Sequence, residues 1–344
     1  METDRILLSI VVPFYNVDKF IVQCLDSLFA QDISLDNYEV ICVNDCSTDK
    51  SRDMVIEYQS KYSNLVLIDH EINTKAGGAR NTGLKAAKGI YIWFIDSDDC
   101  IRSNCLNYLL SVCVENKLDV IAFNISTVTS NGELICNENV FVETLTVTTG
   151  KDFLSNTFGE SIIYHLGYPY RGILSRDLLL TINASFPVGI SYGEETIFMA
   201  RCILFSERVM SLSDSFYFYR QNLLSVTSNL EKNNRGDLLF QSIFNAGNYV
   251  LDLILECKTI DRHLANNILL GMPWFVNRLF VRLLRTSIKQ RFICYKEIRL
   301  KKELVFRLLP FMNRPNFIIS KYPILGSAII SVIAPLYIIR KKIS

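Results

Sequence analysis

"YIWFIDSDDC", residues Tyr91 to Cys100, sets five apolar residues directly before Asp96, Asp98 and Asp99. The apolar run reads as a buried strand. Asp and Ser after a strand suit a turn or a helix N-cap. Three carboxylates within four positions go further. They repel one another, and the repulsion grows as water is excluded. A divalent cation relieves it, because hard ions such as Mg2+ and Mn2+ take carboxylate and phosphate oxygens.

The residues before this stretch alternate between two periods. Leu7 to Val12 forms a short apolar strand ending at Pro13, and Phe20, Cys24 and Leu28 then recur at helical spacing. Tyr38 to Val43 is a second strand, and Ser47-Thr48-Asp49 offers an N-cap for a helix reaching about Lys61. Leu65 to Ile68 is a third strand, and a helix follows Gly77-Gly78. Strand, helix, strand, in this order, predicts an α/β fold, Rossmann-related, with a mainly parallel sheet and helices on both faces. Ligands of such sheets bind beyond the carboxyl ends of the strands. Pro13-Phe14-Tyr15-Asn16, Asn44-Asp45-Cys46-Ser47 and Asp96-Ser97-Asp98-Asp99 each follow a strand and so share one crevice.

Asn73 to Gly83, "NTKAGGARNTG", adds small residues at a helix start, where free N–H groups favour anions and a backbone can approach a ligand. Arg80 brings a forked cation suited to phosphate. The plainer alternative is a Gly-rich turn with a surface arginine. No GxGxxG follows the first strand and no GxxxxGK[ST] occurs, which argues against a dinucleotide fingerprint and a P-loop.

The net charge of +1 over 344 residues hides a split. Leu270 to the end carries +13, and the preceding residues carry −12. A basic tail on an acidic body points to an anionic partner, and aromatics among the basic residues, such as Trp274, Phe275 and Phe280, suit an anionic membrane surface. No nucleic-acid recognition motif supports the other anionic partner. Tyr322 to Ile339 is an uncharged run of 18 residues, but Pro323, Gly326 and Pro335 favour an interfacial segment over a span. The ten Cys form no CxxC pair, and Met1 to Arg5 lacks the basic start of a secretion signal. Both point to a reducing cytosol.

Together, "LLSIVVPFYN", "EVICVNDCSTDKS", "NTKAGGARNTGLKAAKGIYIWFIDSDD", "ASFPVGISYGEETIF" and "FYFYRQNLLSVT" resemble the family 2 glycosyltransferases of the GT-A fold, over roughly residues 6 to 228. The resemblance implies that Asp98 meets the Mn2+ or Mg2+ on the donor diphosphate and that Asp96 lies near the ribose. It places Asp45 at the base, cradled by the segment around Pro13, Tyr15 and Asn16; the helix-start chemistry above sets Gly78 and Arg80 toward the diphosphate. The family's Glu-Asp pair reads Glu194-Glu195 here, which makes Glu195 the expected catalytic base and Glu194 its neighbour. Cys46 stands where the family usually has glycine.

The expected organisation is a nucleotide-sugar-binding half over residues 1–105, an acceptor-binding half over 106–228, and a basic helical region over 229–344. The expected activity is metal-dependent, inverting sugar transfer from a nucleotide sugar, UDP-linked by first choice, to a glycan or lipid-linked glycan in polysaccharide synthesis. The expected place is the cytoplasmic face of the cell membrane. A nucleotidyltransferase releasing pyrophosphate and a non-catalytic scaffold of the same fold are the rival classes.

Overall fold

The computed structural model describes residues 5–144, 146–158, 168–188 and 194–221. All lie in the first of two compact units into which the chain divides, Met1–Ser225. Ser225, the basic region from residue 229 and the apolar run Tyr322 to Ile339 lie outside the described residues.

The first half is built as the alternation predicts. Strands β1 (Leu8–Phe14), β2 (Tyr38–Asn44), β3 (Leu65–Asp69) and β4 (Tyr91–Phe94) alternate with helices α1 (Ile21–Phe29), α2 (Ser51–Lys61) and α3 (Lys75–Ala86). Every residue of β1, β2 and β4 is buried, which is why they are mostly apolar; two polar exceptions, Ser9 and Glu39, bond each other at 2.6 Å. β2 and β4 flank β1, both parallel to it, and β3 lies outside β2. Helix α1 buries Ile21, Cys24, Leu25 and Leu28, a single helical face.

Beyond β4 the sheet changes character. The later elements are β5 (Cys100–Ile101), α4 (Leu106–Glu115), β6 (Val120–Val128), β7 (Leu134–Glu138), α5 (Gly150–Phe158), β8 (Gly172–Ser175), α6 (Arg176–Thr181), α7 (Glu194–Leu204) and β9 (Val209–Arg220). The strand order is β3-β2-β1-β4-β8-β6-β9-β5, with β7 on β6. β8 joins β4 and β6 antiparallel, and β5 joins β9 antiparallel. The short β5 pairing sets Cys100 against Phe218, so the acid stretch at the end of β4 is tied to β9.

Register decides where the acid loop falls against β1. Phe94, the last residue of β4, pairs with Val11, whereas β1 continues to Phe14 beside Asn44 of β2. Ile95 donates its N–H to Val11 O at 3.0 Å. The acid loop after β4 therefore follows on beside the last residues of β1, Val12 to Phe14. The eight cysteines among the described residues are free thiols.

Candidate active site

Asp45 leaves β2 almost fully buried, and its carboxylate is heavily occupied. Oδ1 accepts from Thr74 N at 2.8 Å and Thr74 Oγ1 at 3.0 Å, and lies 2.9 Å from His70 Nδ1. Oδ2 accepts from Lys75 N at 2.8 Å. Asp45 thus caps α3 from another loop, meeting the orphan donors of the helix start. That remote cap explains why α3 begins at Lys75, ahead of the glycines expected to precede it.

The neighbouring turns are cross-linked. Thr48 N donates to Asn16 Oδ1 at 2.7 Å, and Asn16 N donates to Ser47 Oγ at 3.1 Å. Tyr15 is half exposed beyond β1, while Pro13 pairs with Val43 inside the sheet. Cys46 sits at φ 67°, the left-handed region that glycine occupies without strain. Its thiol lies 3.1 Å from His70 O.

Gly77 and Gly78 occupy the first turn of α3. A Cβ on Gly78 would lie 2.4 Å from Thr74 Oγ1, and one on Gly77 would lie 3.2 Å from Pro187 O. The small residues are thus required by packing within the protein, against Thr74 and the segment leading to α7. Asn81 fastens that segment: its Nδ2 donates to Phe186 O at 2.8 Å, and its Oδ1 accepts from Phe186 N at 2.7 Å. Phe186 stacks on Phe198 of α7 with centroids 3.9 Å apart, and both rings meet Phe94 edge-on. This aromatic trio holds the start of α7 against the end of β4. Neither Asn81 nor Phe186 stands out in the sequence as a functional residue. The two-way amide bond spans 105 positions and has no local signal.

Arg80 is buried, and its Nη2 lies 2.6 Å from both Asp96 Oδ1 and Glu195 Oε1. The sequence puts Arg80 toward a diphosphate, sets Asp96 near the ribose and makes Glu195 the expected catalytic base. The structure bridges the two carboxylates through this one nitrogen. Arg80 also lies over the Phe186 ring, and its Nε and Nη1 have no hydrogen-bond partner among the described residues. Burial opposes its charge, but Glu195, Asp96 and Glu194 outweigh that and raise its pKa further. One guanidinium cannot neutralise three carboxylates. Burial therefore pushes the Glu195 carboxyl up to about 8, with Glu194 and Asp96 adding repulsion that Arg80 only partly offsets. Glu194 is raised by burial too.

The acids of the opening stretch divide by environment. Asp99 is buried and turned away: its carboxylate accepts from Arg220 N and from the Tyr217 hydroxyl. Asp96 and Asp98 are only partly buried. Among the described residues, no group of three or more His, Cys, Asp or Glu is arranged to hold a metal. Asp96 and Asp98 nonetheless suit a hard cation, which commonly takes one or two carboxylates and completes its shell with substrate phosphates and water.

Residues 9–150 match the model of "Glycosyl transferase family 2". The chain is 34% identical over 213 residues to the poly(ribitol-phosphate) beta-glucosyltransferase of Bacillus spizizenii, covering 62% of this chain and 32% of the relative. It is 32% identical to the glycosyltransferase EpsJ of Bacillus subtilis, covering 64% of this chain and 63% of that one. The chain thus spans less than two thirds of either relative's length. Among solved structures, residues 1–349 of Staphylococcus aureus TarS in complex with UDP-GlcNAc superpose with a TM-score of 0.69 at 25% identity, covering 88% of this chain and 81% of that one.

Proposed function

We propose, from the premise that this chain carries a family 2 glycosyltransferase domain, that it transfers a sugar from a nucleotide donor to a glycan hydroxyl with inversion. The observation that carries this is the Arg80 nitrogen shared at 2.6 Å by Asp96 and Glu195. It sets an acid of the donor side next to an acid suited to accept a proton. A carboxyl raised to about 8 titrates close to neutral pH, where general bases work best.

In its ionised form Glu195 takes the acceptor hydroxyl's proton. That oxygen bonds the anomeric carbon as the carbon–oxygen bond to the diphosphate breaks, and the nucleoside diphosphate leaves with the electron pair. Arg80 orients Glu195 and Asp96 through its shared nitrogen. Asp98 and Asp96 would hold Mn2+ or Mg2+, and a bound ion supplies charge stabilisation to the leaving diphosphate. Tyr15, Pro13, Asn16 and Asp45 frame the end of the crevice assigned to the base, with Gly78 behind them. Residues 1–105 form the donor half and 106–228 the acceptor half. UDP is the assigned nucleotide, supported by the UDP-GlcNAc complex of the TarS structure. The acceptor class is a lipid-linked surface glycan or polyol-phosphate polymer, supported by the poly(ribitol-phosphate) relative.

Incubation with a panel of nucleotide sugars, Mn2+ and polyol-phosphate or glycan acceptors tests this. Released UDP with a glycosylated acceptor is expected, nearly abolished by Asp98→Asn. Pyrophosphate from a nucleoside triphosphate and a sugar phosphate would replace this reading with nucleotidyl transfer. Neither product would leave a non-catalytic scaffold.

The +13 region from Leu270 onward supports peripheral attachment to an anionic membrane at its cytoplasmic face. Among the described residues, no helix is long and apolar enough to cross a membrane. Full-length protein should sediment with anionic vesicles in low salt and be released at 1 M, where the Debye length falls to about 3 Å. Indifference to such vesicles would remove the attachment.

A further inference from the structure

The acid loop is held from the far end of the sheet. Tyr217 of β9, fully buried, sends its one hydroxyl proton to Asp99 Oδ2, while its oxygen accepts the Asp96 N–H at 3.3 Å. Three residues on, Arg220 donates its backbone N–H to Asp99 Oδ1 at 2.7 Å and its Nε to Asp98 O at 2.9 Å. Tyr170 stacks on the Tyr217 ring with centroids 4.4 Å apart and planes 7° apart, and its carbonyl takes the Trp93 N–H at 3.0 Å. The hydroxyl therefore has little freedom to leave its two partners.

We propose that Tyr217 is a positioning residue for the donor–metal site: through Asp99 and the Asp96 peptide it fixes the loop that carries the Asp96 and Asp98 carboxylates. This rests on the function proposed above and deepens it. Asp99 is then a strut, the acid that lets β9 grip the loop, and its place in the triplet needs no cation. Two partly buried carboxylates meet a cation and diphosphate well only if their peptides are fixed beforehand, because any freedom must be lost on binding.

The test is calorimetric titration of Mn2+ with UDP into the full-length protein, beside titration of UDP alone. Tyr217→Phe removes one oxygen and keeps the ring stack. Groups that orient metal ligands typically contribute about 10–100-fold in metal affinity. Tyr217→Phe should therefore raise the half-saturating Mn2+ by about that factor. UDP binding without metal should stay within about twofold, and kcat at saturating Mn2+ should fall by less than the metal affinity. Tyr91→Phe is the control. It also removes a buried hydroxyl, one bonded to Cys113 O at 2.9 Å away from the loop, and should leave the Mn2+ dependence unmoved.

Should Tyr217→Phe not fold, Asp99→Asn serves. The amide has one oxygen where the carboxylate serves two donors, so one of the two grips is lost and the half-saturating Mn2+ should again rise. Wild-type binding that depends on Mn2+, with neither variant shifting it or with Tyr91→Phe shifting it equally, overturns the positioning role alone. Wild-type UDP binding that ignores Mn2+ overturns this inference together with the metal dependence it rests on.

Discussion

Asp45 and Glu195 are both acids near the opening of one crevice, and the protein treats them oppositely. Asp45 meets two backbone N–H groups, a threonine hydroxyl and a histidine nitrogen, so its charge is met by fixed dipoles. Glu195 shares one buried guanidinium with Asp96, beside Glu194. The first arrangement resolves its electrostatics and locks a helix in place. The second leaves an excess of negative charge, so one acid holds its proton until about pH 8. Satisfied acids build the site, and frustrated ones are available for proton transfer.

Glu195→Gln should strain this contrast most. Glutamine keeps the shape and can still accept from Arg80 but cannot take a proton, so kcat at saturating donor and acceptor should fall about 10²–10⁴-fold. Glu194→Gln should be milder. A dead Glu194→Gln beside an active Glu195→Gln would move the base by one residue. Activity in both would leave the pair as a charged helix start.

The same protonation gives a pH dependence with a definite sign. The base must be ionised, so kcat/KM should climb as pH rises and level off above about 8. Stability should run the other way. Glu195 has its folded pKa raised above the unfolded value of 4.5, so its contribution is complete below that value and is lost as pH rises through about 8. Thermal melts at pH 5 and pH 8.5 should show a drop that shrinks in Glu195→Gln. An equal drop in the variant would locate the titration elsewhere.

Asp45→Asn probes the satisfied acid. It leaves one oxygen for the donors at the start of α3, and losing such a cap costs about 1–2 kcal/mol. Urea unfolding should report that loss, whereas Glu195→Gln should be neutral or stabilising at pH 8.5. Comparable destabilisation by both would erase the distinction between the two acids.

The smallest effect is expected at Cys46. A non-glycine side chain at φ 67° costs about 1–2 kcal/mol, and glycine returns about half of the gain as unfolded-state entropy. Cys46→Gly should therefore stabilise by about 0.5 kcal/mol in urea unfolding. Destabilisation would show that the thiol contact with His70 O outweighs the backbone strain.

The parallel half of the fold was legible in the sequence because β1, β2 and β4 are buried on both sides. Leu8–Phe14, Tyr38–Asn44 and Tyr91–Phe94 show as mostly apolar stretches, and the helices between them carry local periodicity. The strand ends that carry Asn16, Asp45 and Asp96 could therefore be placed on local pattern alone. Composition and charge, too, needed no coordinates. The roles of individual side chains were decided by partners far along the chain. Arg80 could be read locally as a cation for phosphate or as a surface arginine, and the surface alternative fails because α7, brought in by Phe94, Phe186 and Phe198, closes over it and sets two carboxylates against it. Three clustered aspartates looked like one site, yet β9, more than a hundred residues later, removes Asp99 by giving it two donors. Burial pattern is a property of each residue type and can be read in order. A polar group's role depends on which donor or charge meets it, and only the folded chain brings those together.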